Sequence, residues 1–187
     1  MSGPTPYRRG LKPALRLLLP VCLILGLIAP TAAQERPRDW WARTSWRTLD
    51  GYQVRTDVAD ERLRQVMTRI DAVYRSLGHE FRGLDARVRE HRNVLLFEKR
   101  SDFRHILLRE FGVNAGETGG LFFRSPRGVA LAVAVEGLSD RQLAHVVQHE
   151  AAHQFAESRF GDDLPRWIAE GLSELCAHGI VLNGTLH

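Results

Sequence analysis

The 187-residue chain has little cysteine, little tyrosine and no apolar run long enough to cross a bilayer. Its two cysteines are Cys22 and Cys176, and Cys22 lies in an N-terminal stretch that reads as removable. A lone Cys176 in the remainder excludes an internal disulfide framework. It reads as a small buried apolar residue rather than a metal ligand. The longest apolar run, Leu17 to Ala29, has 13 residues and is interrupted by Pro20. Roughly 18–20 are needed to span a hydrocarbon core, which argues against a permanent transmembrane helix. Gly116 to Gly120 is glycine-rich, but the G-x-x-x-x-G-K-[ST] pattern that cradles phosphate is absent. Net charge is missing as well. The whole chain carries +4, but Arg8, Arg9, Lys12 and Arg16 are the only charged side chains of residues 1–33. Setting them aside leaves 22 basic against 22 acidic residues. The remainder gives no electrostatic case for nucleic acid or an anionic membrane surface.

The N-terminus has the three parts of an export signal. A basic stretch, Tyr7 to Lys12, precedes the Leu17–Ala29 run, and Pro30-Thr31-Ala32-Ala33 supplies small residues suited to cleavage after Ala33. Residues 1–33 therefore read as a secretory signal peptide, with no stable membrane insertion after cleavage. Export without disulfides suits a bacterial periplasmic or secreted protein. Residues 34–45 read as a linker running into one domain over 46–187.

Along that domain the periodicity alternates between strand and helix. Asp50-Gly51 between Leu49 and Tyr52 is a hairpin-turn signal. Leu63, Val66, Ile70, Val73 and Leu77 form a helical stripe that Asp60 can cap and Gly78 can close. Val94 to Phe97 reads as a short buried strand, and a second helix starts at Ser101 and ends before Gly112. Leu121–Phe123 and Val129–Val135 read as strands joined through Ser125-Pro126-Arg127-Gly128. Ser139 to Gln142 is a capping-box start for a helix ended by Gly161, and Pro165 introduces a last helix from about Arg166 to His178. The order is that of an α+β domain, a small mixed or antiparallel sheet packed on helices.

The helix opened by Ser139 carries His149-Glu150-Ala151-Ala152-His153, an H-E-x-x-H match. Histidines four apart stand one above the other, so both imidazoles reach one metal ion. Glu150 is rotated about 100° from His149 and leans over the metal without ligating it, placed to take a proton from activated water. This is the constellation of a zinc peptidase; a chance match on an amphipathic helix is the competing reading. Leu143, Val147, Ala151 and Phe155 share another face of the helix, leaving the histidines to line a cleft. Catalytic zinc usually takes three protein ligands and keeps one position for water. Glu170 is the favoured third ligand. Glu174, one turn further on the same face, could claim that role, or accept the second N–H of a ligating histidine. His178 continues the stripe but reads as a helix-end residue, and His145 as peripheral.

His149-Glu150-x-x-His153 followed by Trp167-x-x-Glu170-Gly171-x-x-Glu174 resembles the gluzincins, and looks closest to bacterial peptidase MA-like proteins. The resemblance implies a zincin-like domain binding one Zn2+ through His149, His153 and Glu170, with Glu150 as general base and peptide or protein as substrate. It also implies an edge strand within Gly128–Val135 that aligns an extended substrate by strand addition. Two features depart from the family. The gap between His153 and Glu170 is 16 residues, slightly short, and no tyrosine follows Tyr74 to stabilise an oxyanion. Either the oxyanion donor comes from elsewhere, or the chain is a truncated or minimal member. The expectation is therefore a zinc metallopeptidase; the alternative is a zinc-binding scaffold or interaction module of the same fold with little or no turnover.

Overall fold

A computed structural model describes residues 39–83 and 92–187. The signal peptide expected over 1–33 lies outside the described residues. The linker expected over 34–45 does not extend through its second half. Trp40–Arg43 is a helical turn, α1, with Asp39 Oδ1 accepting from the Trp41 N–H. The Trp40 ring is buried and stacks on Phe97 with centroids 4.3 Å apart. Burying an indole offsets the cost of ordering this short segment.

The remaining elements follow the sequence pattern closely. Strands β1 (Trp46–Leu49) and β2 (Tyr52–Thr56) form a hairpin in which Asp50 and Gly51 have φ of 47° and 83°. These are the positive values that a two-residue primed turn requires. Helix α2 spans Asp60–Glu80 and passes through Gly78 before stopping; its N-cap is Ala59, without a side-chain cap. Strand β3 is Asn93–Phe97, and α3 runs from Arg100 to Ile106 before widening into a π-helical turn, Leu107–Phe111, closed by left-handed Gly112. Strands β4 (Gly120–Ser125) and β5 (Gly128–Ala134) form a second hairpin. Helix α4 (Asp140–Phe160) opens on the complete Ser139/Gln142 capping box, and α5 is Arg166–His178. A last hairpin pairs β6 (Val181–Leu182) with β7 (Thr185–Leu186) around Asn183-Gly184. That dipeptide is itself a hairpin signal.

The chain is a mixed α+β fold. The five strands of its larger sheet run in the order β1-β2-β3-β5-β4. Central β3 pairs in parallel with β2 and β5, and each outer strand pairs antiparallel with its neighbour. Alternate side chains of β3 feed two cores. Val94 and Leu96 pack with α2 and α4 through Val66, Ile70, Val73, Val147 and Ala151. Leu95 and Phe97 pack on the other face with Trp40, Phe103, Ile106 and Leu107. The sheet is thus a middle layer, with α2 and α4 on one face and α1 and α3 on the other.

One expectation is overturned by this order. Gly128–Val135 is not an edge: β5 lies between β3 and β4, and β4 is the edge strand. The reason is compositional. From Ala130 onward β5 is buried on both faces, as an inner strand demands, whereas β4 carries exposed Arg124.

Candidate metal centre

Helix α4 packs on the sheet through Leu143, Val147 and Ala151, which turns His149 and His153 toward α5. Both imidazoles are half-buried, with Nε2 atoms 3.1 Å apart. The chain leaves α4 at Gly161, whose φ of 60° reverses its direction, and Pro165 caps α5. Glu170 thereby faces both histidines: its Oε2 lies 3.4 Å from His153 Nε2 and 3.8 Å from His149 Nε2. These three residues could hold a metal ion. Ligands about 2.0–2.2 Å from a tetrahedral ion stand roughly 3.3–3.6 Å from one another, and the three edges here scatter around that value.

The neighbouring groups are arranged to match. His149 Nδ1, buried and without an aligned hydrogen bond, lies 3.2 Å from Glu174 Oε1. A carboxylate there selects the tautomer with hydrogen on Nδ1 and leaves the Nε2 lone pair directed at the shared centre. Glu174 therefore faces the far nitrogen of His149, while Glu170 meets the near ones. His145 and His178 stay outside the three-residue group, and Trp167 stands 76 % exposed.

Glu150 is set apart from this triangle. Its Oε2 accepts the Phe122 N–H of edge strand β4 at 2.6 Å. Burial pushes its carboxyl up to about 7; the Glu170 charge adds to that rise, and the Phe122 hydrogen bond opposes it. Desolvation wins because a charged carboxylate loses more hydration than one N–H returns. Burial, followed by the neighbouring His149, depresses His153, so its ring is neutral and its lone pair free at neutral pH. Beside His153 a cavity of about 250 Å3 opens between Phe122, Ala156, Leu164 and Ala169. The Phe122 contact was hidden in the sequence, since it depends on strand order. Arg166 was also missed, though its i, i+4 spacing to Glu170 signals the pair; its Nε lies 3.7 Å from Glu170 Oε1.

Compared with protein-family models and with curated proteins, the chain matches none.

Proposed function

We propose that this chain is an exported, zinc-dependent peptidase with a zincin-like, gluzincin-type site. The observation that carries this reading is the convergence of His149, His153 and Glu170, with Glu150 on the same helix as the histidines and hydrogen-bonded to edge strand β4. Two neutral imidazoles and one carboxylate suit Zn2+ and leave the centre one net positive charge. When bound, zinc supplies Lewis acidity toward water and a peptide carbonyl. Glu150 takes the proton of the attacking water and passes it to the leaving amine. Burial raises this carboxyl and a bound cation would lower it again, which suits a group that must both take and give a proton. Edge strand β4 offers its outer backbone groups to an extended peptide, in the manner of strand addition. The cavity beside His153 is large enough for a small apolar side chain. Among the described residues no helix is long and apolar enough to cross a membrane.

The test is metal analysis together with chelator-sensitive cleavage of a peptide library. Zinc near one per chain is expected. Glu150→Gln should retain the metal and lower turnover by about 10²–10⁴-fold. Unchanged cleavage by that variant would sink the mechanism. Glu170→Ala should weaken zinc binding; unchanged affinity would move the third ligand to Glu174.

A second reading, a metal-binding scaffold without turnover, is favoured by one observation. Tyr52 and Tyr74 pack with Phe155 in the core, away from the cleft, so neither hydroxyl is available as an oxyanion donor. Zinc at full occupancy with no peptide of the library cleaved would establish that reading.

A further inference from the structure

We propose that His145 and His178 form a second, weaker site for a borderline-soft transition-metal ion such as Zn2+ or Ni2+, on the shoulder of the cleft. His145 lies one turn before His149 on α4, and His178 is the last residue of α5. Their ring centroids are 5.2 Å apart with the planes at 89°. An imidazole centre stands about 3.2 Å from a zinc ion that it ligates at ~2.0–2.1 Å, so two rings sharing a tetrahedral ion sit roughly 5 Å apart. The His149–His153 pair, at 4.8 Å, has nearly the same spacing.

A second observation concerns the tautomer. His178 Nδ1 lies 2.9 Å from the carbonyl oxygen of Glu174. A carbonyl only accepts, so Nδ1 carries the hydrogen and Nε2 keeps the lone pair that a metal takes. The Glu174 carboxylate lies 3.7 Å from the same ring and adds negative charge that favours a cation. His178 is 71 % exposed and His145 half-buried, so an ion reaches the pair from solvent. Two protein ligands leave the remaining positions to water, which makes the site weaker than the three-ligand centre. The peptidase reading uses neither histidine, and the site does not depend on it.

Equilibrium dialysis of the full chain against Zn2+, followed by metal analysis, tests the pair. Two ions per chain are expected at saturation, the second filling at tenfold or more higher free zinc. His145→Gln and His178→Gln should each abolish the weaker uptake and leave the stronger. A His149→Ala/His153→Ala variant should still take up one ion weakly, and lose it when His178→Gln is added. His178 is exposed, so its replacement leaves the fold intact, which circular dichroism verifies. Wild type saturating at one ion, with none bound by the His149→Ala/His153→Ala variant, would overturn the second site alone. Weak uptake that survives His178→Gln would overturn it too. A single ion that ignores the loss of His149 and His153 but requires His178 would uphold this site and overturn the three-ligand centre.

Discussion

Glu150 is the side chain whose setting has the most consequences. Its folded pKa of about 7 stands above the free value of 4.5, so the fold holds its proton more tightly than the unfolded chain does. The stability from that proton is full below pH 4.5 and is lost as pH rises through 7. Beyond that point the buried charge costs about 3 kcal/mol in the metal-free protein. His153 acts in the opposite sense: its depressed pKa gives stability above 6.5 that is lost as pH falls. Comparing metal-free wild type with Glu150→Gln isolates the carboxyl. The wild-type melting temperature should fall relative to the variant between pH 4.5 and 7, and saturating zinc should shrink the difference by favouring the carboxylate. A difference that stays flat with pH would remove the buried-carboxyl account. Glu174→Gln should weaken zinc binding by about 10–100-fold, as loss of a charged partner to a ligating imidazole generally does, with the metal ligands themselves intact. At this scale the sequence was informative about His149 and His153, because helical spacing alone brings them together. It left Glu170 and Glu174 as alternatives, since only the turn at Gly161 decides which carboxylate meets Nε2 and which faces Nδ1.

Among elements, the seam between β4 and α4 fixes the site. Gly120 begins β4, and a Cβ added there would lie 2.5 Å from Val146 Cγ1 and 3.2 Å from the Ala132 carbonyl oxygen. Two residues on, Phe122 donates to Glu150, so the absent side chain lets the edge strand approach the Glu150 carboxylate. Gly120→Val should destabilise the fold by about 1–3 kcal/mol in chemical denaturation, as overpacking does, and Val146→Ala should restore part of the loss. If Gly120→Val costs nothing, the seam is looser than its geometry indicates. Helices α2 and α4 were legible because their apolar residues keep a 3.6-residue period, α5 because Pro165 marks its start, and the Asp50-Gly51 hairpin because its turn chemistry is local. Strand order was not legible: the parallel pairs of β3 join segments tens of residues apart, and no local signal records such partners. The π-helical widening after α3 has no sequence signature either. Helix α1 escaped notice because Trp40 is ordered by distant core residues, the ring of Phe97 among them, that no local pattern records.

The whole molecule places the three residues that could hold a metal ion across one reversal of the chain. Gln148, fully buried beside His149, donates to the carbonyls of Cys176 and Gly179 at 2.7 and 2.9 Å and accepts from Arg69 at 3.1 Å. That one amide joins α2, α4 and the end of α5, so α4 and α5 keep their relative positions without the help of an ion. Zinc at 100 times its dissociation constant should raise global stability by about 2.7 kcal/mol, read as an upward shift in melting temperature that a chelator reverses. No shift at saturation would mean that the folded chain has no preference for the metal over the unfolded one. The general α+β class could be read from the sequence, while the three-layer arrangement around β3 depended on pairings that only folding creates. The turn at Gly161 has a topological consequence. His153 and Glu170 bracket a segment of 16 residues, and an ion touching both closes that segment into a ring. In chain-entropy terms a closure of this size is worth about 3 kcal/mol when it is covalent. An ion bound there would be a removable staple, where the described residues hold no disulfide to serve as one. A protease nick between Gly161 and Pro165 should leave two pieces that come apart at a lower denaturant concentration when zinc is chelated than when it is present.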